Sequence, residues 1–179
     1  MRENIIIAGS GGQGIMLLGK IIAESAMREN KHVTWLPAYG AEVRGGTAHC
    51  MVIISDKEIG SPYIRKADTL IIMNQPSWEK FHSRLNLNGL FILNSSLIET
   101  ATSKNKSLFK YPFTEIAIEL GNIKVANMVA LGFYIVAKKI IALETVFDGI
   151  KDFAPEDKKG LMEVNKQALS RGSQLIKDK

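Results

Sequence analysis

The stretch Ile5-Ile6-Ile7-Ala8-Gly9-Ser10-Gly11-Gly12-Gln13-Gly14 decides how this chain is read. Four apolar residues in a row, mostly β-branched and without alternation, have the pattern of a strand buried on both faces. The glycines at 9, 11 and 14 then fit G-x-G-x-x-G, and Ile15, Leu18, Ile22 and Ala26 recur at helical spacing from Gly14 to about Met27. A strand, a glycine turn and a helix in that order open a βαβ unit. Glycine accepts positive φ at no cost, and its missing side chain lets backbone N–H groups approach a ligand. The helix N-terminus adds partial positive charge. Gly9, Ser10, Gly11, Gly12, Gln13 and Gly14 are therefore a candidate site for a phosphate or carboxylate. A tight turn without any ligand accounts for the same glycines, and both readings stand at this point.

Outward from this unit, strand-length apolar runs alternate with helical patterns. Val33 to Leu36 reads as a second short strand ended by Pro37, and Thr47 to Ser55 as the next. Thr69 to Met73 and Leu90 to Leu93 are two more buried strands. Between them Pro76 and Ser77 open a helix carrying Trp78, Phe81 and Leu85, and Asn88-Gly89 closes that connection. Residues 101 to 107 read as a polar surface loop. Helical patterns then follow from Thr114, Lys124, Ala142 and Asp157, with Gly121 and Gly149 at helix ends and Pro155 before the last helix. The expectation is an α/β chain: a single Rossmann-like domain over residues 1–179, with a mainly parallel sheet flanked by helices and a helical C-terminal part.

Composition narrows the function classes. Cys50 is the only cysteine, which excludes internal disulfides, a cluster held by several thiolates of this chain, and a Cys-based zinc site. His32, His49 and His82 are scattered, so no metal is expected. The net charge of +5 comes from lysines spread along the chain, including Lys104/Lys106, Lys138/Lys139 and Lys158/Lys159. That pattern suits a solvated surface better than a nucleic-acid footprint. No apolar run approaches the ~20 residues of a membrane span, and a cytoplasmic location is expected.

A dinucleotide fold requires an acid near the end of its second strand to hold the ribose. Here that strand ends Thr34-Trp35-Leu36-Pro37-Ala38-Tyr39, and Glu42 lies beyond a proline, so NAD is disfavoured. The segment Pro37 to Thr47 instead arrives at the carboxyl edge of the sheet, where ligands and partners bind in open α/β folds. If it is extended, Glu42 and Arg44 point the same way. Arg44 could then hold a carboxylate or phosphate bidentately with Glu42 orienting it. A surface Glu–Arg pair worth under ~1 kcal/mol fits the same residues.

Gly9-Ser10-Gly11-Gly12-Gln13-Gly14, then Tyr39-Gly40-Ala41-Glu42-Val43-Arg44-Gly45-Gly46, then Gly121-Asn122-Ile123-Lys124-Val125-Ala126-Asn127-Met128-Val129-Ala130-Leu131-Gly132 together resemble the gamma subunit of 2-oxoacid:ferredoxin oxidoreductases over nearly the whole chain. The resemblance implies oxidative decarboxylation of a 2-oxoacid with coenzyme A to acyl-CoA, with electrons passed to ferredoxin. It implies thiamine diphosphate, magnesium and [4Fe–4S] clusters in the complex. This chain lacks the Gly-Asp-Gly…Asn thiamine pattern and cannot hold a cluster, so those cofactors fall to alpha, beta and, where present, delta subunits. No catalytic residue is expected in this chain alone. Within the family, the Tyr-Gly-Ala-Glu-Val-Arg-Gly-Gly-Thr version looks more like enzymes of 2-oxoglutarate or branched-chain 2-oxoacids than of pyruvate, and 2-oxoglutarate is favoured.

Asn122, after Gly121, reads as a helix N-cap. Asn127 reads as buried within the following helix or as a subunit contact. With Tyr39 and Glu42 they are supporting residues of one candidate site for coenzyme A or phosphate formed by Gly9 to Gly14 and Arg44. Two readings remain beside the family one: a purely structural subunit whose glycine loop packs on a partner, and a stand-alone nucleotide-binding oxidoreductase. The carboxyl-edge surface is expected to self-associate when partners are missing.

Overall fold

A computed structural model describes residues 1–38, 47–101, 107–153 and 159–177 of the chain. Six strands form one sheet: β1 (Arg2–Ser10), β2 (His32–Ala38), β3 (Thr47–Ser55), β4 (Ala67–Ile72), β5 (Leu85–Asn94) and β6 (Leu108–Tyr111). Their order is β2-β3-β1-β4-β5-β6. β1 pairs in parallel with β4, β4 with β5, and β5 with β6. β3 pairs antiparallel with both β1 and β2, so it alone runs against the common direction.

The helices are α1 (Ile15–Arg28), α2 (Gln75–Phe81), α3 (Phe113–Glu119), α4 (Ala126–Lys138), α5 (Leu143–Lys151) and α6 (Lys159–Gln174). Alternation along the central strands divides the core between the two faces. Ile5, Ile7, Val52, Ile54, Ile71 and Ile92 pack under α1, α3, α4, α5 and α6. Ile6, Ala8, Met51, Ile53, Leu70, Ile72 and Leu93 face Trp78 and Phe81 of α2, with Ile64 and Ile98 beside them. Burial on both faces explains why β1 reads as an unbroken isoleucine run. Among the described residues no helix is long and apolar enough to cross a membrane.

The mainly parallel sheet flanked by helices agrees with the expectation, while several boundaries differ for physical reasons. Pro37 does not end β2 but lies within it, opposite Cys50. β2 is the outermost strand, where a residue without an N–H is tolerated. Leu85 and Asn88-Gly89 belong to β5, not to the helix and turn before it. β5 pairs Ala67 with Leu85 and then Thr69 with Leu90, an irregularity that absorbs the turn-like residues inside the strand. β6 is a further strand at the opposite edge, between the loop expected over 101–107 and the helical pattern from Thr114. Gly149 lies inside α5, where a Cβ would stand 3.0 Å from Ser25 Oγ of α1, so its role is close helix packing rather than termination. Gly121 does follow a helix, with φ of 84° just beyond α3.

Candidate functional site

The chain runs from β1 through α1 to β2 on one side of β1, and later reaches β4 on the other side. The turn after β1 therefore sits where the strand order reverses, at the carboxyl ends of the parallel strands. That is the position at which open α/β sheets form a crevice. Gly9 and Ser10 are the last residues of β1, and Gly14 caps α1 with φ of 69° and no side-chain capping bond. The N–H groups of the first turn of α1 lack acceptors within the helix, as at any helix start.

A chain of amides holds this turn. The Ser10 N–H donates to Gln13 Oε1 at 2.7 Å, and the Gln13 N–H returns a bond to Ser10 O at 3.3 Å. Gln13 Nε2 donates to Met73 O at the end of β4 over 3.2 Å. Asn94, fully buried at the end of β5, donates through Nδ2 to the same Met73 carbonyl at 3.2 Å and to Thr114 Oγ1 at 2.8 Å. Thr114 N–H closes the ring onto Asn94 Oδ1 at 3.3 Å. Asn127, the second residue of α4 and 2 % exposed, donates from Nδ2 to Gly14 O at 3.2 Å.

The four glycines differ in what they are for. A Cβ on Gly9 would stand 2.5 Å from Gln13 Oε1 and 2.7 Å from Ile15 Cδ1, and one on Gly14 would stand 2.3 Å from Asn127 Nδ2. Those two are required by the chain's own packing. Gly12 has φ of 87°, which favours glycine whatever the space around it. Gly11 has neither reason: its φ lies outside the left-handed region, and no described atom comes within 4 Å of its Cβ position.

Beside the turn, Ser10 pairs with Thr47 at the start of β3. Thr47 Oγ1 accepts from Lys80 Nζ of α2 at 2.9 Å. His49, two residues along β3, packs against Phe81 with ring centroids 4.8 Å apart. Burial, then the charges of Lys80 and Arg84, push its imidazole below the usual histidine range, so it is neutral at neutral pH. Ala38 pairs with His49 at the end of the β2–β3 ladder and Thr47 pairs with Ser10, so the two residues that bracket 39–46 both lie at this edge. Tyr39, Glu42 and Arg44 themselves lie outside the described residues. Asn122 accepts from the Lys124 N–H at 3.0 Å and caps the short 3₁₀ turn before α4, which is the capping role read from sequence. Asn127 sits in the first turn of α4 rather than its interior. Asn94, Met73, Thr114 and Lys80 were not singled out in the sequence, because nothing local marks a residue whose partners lie on other strands.

The described donor set does not suit a metal or cluster. Among the described residues no three His, Cys, Asp or Glu side chains gather, and Cys50 is buried, with its thiol pushed up to about 12 chiefly by desolvation. The sheet order also argues against a dinucleotide fold: β3 separates β2 from β1, so the end of β2 is not next to the glycine turn.

The family model described as pyruvate ferredoxin/flavodoxin oxidoreductase matches residues 4–175. The 2-oxoglutarate synthase subunit KorC of Methanocaldococcus jannaschii is 34 % identical over 182 residues, covering 99 % of this chain and 96 % of its own. The ketoisovalerate oxidoreductase subunit VorA of Methanothermobacter marburgensis is 35 % identical over 170 residues, 93 % of this chain. The match covers only 35 % of VorA, so the chain spans about a third of that relative's length. A solved structure of the keto/oxoacid ferredoxin oxidoreductase gamma subunit from Geobacter sulfurreducens superposes with a TM-score of 0.82 at 28 % identity, covering 95 % of each chain.

Proposed function

The chain belongs to the pyruvate ferredoxin/flavodoxin oxidoreductase family, and from that premise we propose that it is the gamma subunit of a 2-oxoacid:ferredoxin oxidoreductase that helps to form the coenzyme A cleft. Residues 1–179 act as one gamma-type domain of a cytoplasmic complex. The alpha and beta subunits, with a delta subunit where present, carry thiamine diphosphate, magnesium and [4Fe–4S] clusters and deliver electrons to ferredoxin. The preferred acid is 2-oxoglutarate, with branched-chain 2-oxoacids second. Both acids draw support from the relatives, the KorC subunit at 34 % identity and the VorA subunit at 35 %, and the order rests on the Tyr39 to Thr47 version of the segment.

The observation that carries the coenzyme A reading is the open space over Gly11. Gly9 and Gly14 are glycine for internal packing, whereas Gly11 leaves room that no described residue uses. A phosphate there would meet helix-start N–H groups and a favourable dipole end. Arg44 lies three residues before Thr47 in the sequence, Thr47 pairs with Ser10, and the Arg44 guanidinium is proposed for the same anion. Gly11→Ala fits this chain without a clash but intrudes on such a ligand. In the assembled complex, Gly11→Ala and Arg44→Ala should each raise the coenzyme A KM roughly tenfold, the equivalent of one charge-assisted contact. Thiamine content and subunit composition should be unchanged. If both variants assemble and keep the parent coenzyme A KM, the glycine turn is structural and the reading fails.

A further inference from the structure

Lys80 is the cation that the glycine turn does not explain. It projects from α2, on the sheet face opposite α1, and its Nζ reaches Thr47 Oγ1 at 2.9 Å. Thr47 is the direct cross-strand partner of Ser10. Ser10 falls on the α2 side by alternation with Ile6 and Ala8, which pack in the α2 core. The ammonium is thus bonded to the residue directly across from Ser10, one strand spacing of roughly 5 Å from the start of the turn. Lys31, Lys138 and Lys151 each have a carboxylate within 3 Å. Among the described residues, Lys80 has none within ion-pair distance. Among the described residues it shares that corner with Arg84, a second cation over the Phe81 ring, and with His49, whose pKa is lowered by burial and then by Lys80 and Arg84. An ammonium with no carboxylate partner among the described residues, anchored by a hydroxyl at the carboxyl edge, is a point-charge receptor for an anion.

We propose that Lys80 binds a second phosphate of the same coenzyme A molecule, from the sheet face opposite α1. This rests on the glycine turn being the coenzyme A site. It adds that the ligand straddles the end of β1 rather than lying wholly on the α1 side. Coenzyme A has two separated phosphate loci, the diphosphate and the 3′-phosphate, and a two-sided site suits such a polyanion.

The test uses the assembled complex with Lys80→Met, Lys80→Gln and Lys80→Arg, and coenzyme A as the varied substrate. Lys80→Met and Lys80→Gln should raise the coenzyme A KM about threefold, as expected for a partly exposed charge. Both should also flatten its rise with ionic strength, while Lys80→Arg restores the parent values. Glutamine can keep the bond to Thr47 but not the charge, so a merely structural Lys80 would leave Lys80→Gln like the parent. An unchanged KM and salt dependence in Lys80→Gln overturns the proposal. If Gly11→Ala still raises the coenzyme A KM in that case, only Lys80 is removed from the site. If Gly11→Ala is also silent, the coenzyme A reading itself has failed.

Discussion

Asn127 and Gly14, 113 residues apart, touch through an Asn127 Nδ2 donor and the Gly14 carbonyl at 3.2 Å. The same carbonyl accepts the first helical bond of α1, from the Leu18 N–H at 3.0 Å. One oxygen therefore joins the glycine turn to the start of α4, and the contact is close enough to exclude any side chain at position 14.

Gly14→Ala should destabilise the protein by about 2–4 kcal/mol, combining left-handed φ with overpacking against Asn127. Gly11→Ala, three residues earlier, should change stability by less than about 0.5 kcal/mol. Urea unfolding of the two variants beside the parent measures the contrast. Equal losses at the two positions would contradict the division of the glycines into packing and ligand roles.

Gly132 of α4 and Gly172 of α6 bring two helix backbones into contact. A Cβ on Gly132 would lie 2.0 Å from Leu169 O, and one on Gly172 would lie 1.9 Å from Val129 O. Backbone cannot swing aside as a side chain can, so either alanine should cost about 3 kcal/mol or more. Thermal unfolding should show both midpoints falling well below that of Gly160→Ala, whose Cβ meets nothing within 4 Å. A Gly132→Ala midpoint matching that control would mean that α4 and α6 do not cross this closely.

How much of this was legible in the sequence depends on how local each cause is. The run Ile5-Ile6-Ile7 announces a two-face-buried strand because burial on both faces leaves no polar position to interrupt it. The start of α1 is equally readable from Gly14 and the spacing of Ile15, Leu18 and Ile22. The strand β6 is not readable, since Leu108-Phe109-Lys110-Tyr111 is four residues long and owes its conformation to pairing with β5. Asn88-Gly89 carries a turn signal that pairing with β4 overrides. At the site, the glycine pattern was visible but the different reasons for Gly9, Gly11 and Gly14 were not. The reason for Gly14 depends on Asn127, and that for Gly9 on Gln13 and Ile15, with Gln13 held in place by the Met73 carbonyl, so neither is set until the sheet is built.

Glu3 should make stability depend on pH in the direction opposite to a surface carboxylate. It is 3 % exposed, accepts from Thr69 Oγ1 at 2.6 Å and pairs with Lys138 Nζ at 2.9 Å, with Asp68 and the buried Tyr134 hydroxyl nearby. Desolvation outweighs the Thr69 and Lys138 contacts, so the folded carboxyl titrates above its ordinary 4.5. The folded state then holds this proton more tightly than the unfolded one. The stability it contributes is fully present below pH 4.5 and is lost as pH rises through the folded value. Glu3→Gln should remove that loss, so the unfolding free energy of Glu3→Gln minus parent should grow from pH 4.5 towards neutrality. A difference that shrinks over the same range would mean that Lys138 dominates Glu3 after all.

Asn94 gives the sharpest test of the amide chain beneath the turn. Its Nδ2 supplies both N–H bonds, to Met73 O at 3.2 Å and Thr114 Oγ1 at 2.8 Å, from a fully buried position. Asn94→Asp keeps the shape but replaces that donor with an oxygen facing the Met73 carbonyl. An unpaired buried acceptor and a desolvated charge should together cost about 3 kcal/mol or more at neutral pH. Part of the loss should return as pH falls and the new carboxyl gains a proton that can donate in place of Nδ2. Because Met73 O also holds Gln13, the disturbance should travel to Ser10. Hydrogen exchange at the Ser10 amide, bonded to Gln13 Oε1 at 2.7 Å in the parent, should then accelerate more than exchange in the β2–β3 ladder. Loss of stability with unaltered relative protection at Ser10 would show that Asn94 supports the core alone and leaves the turn to Gln13.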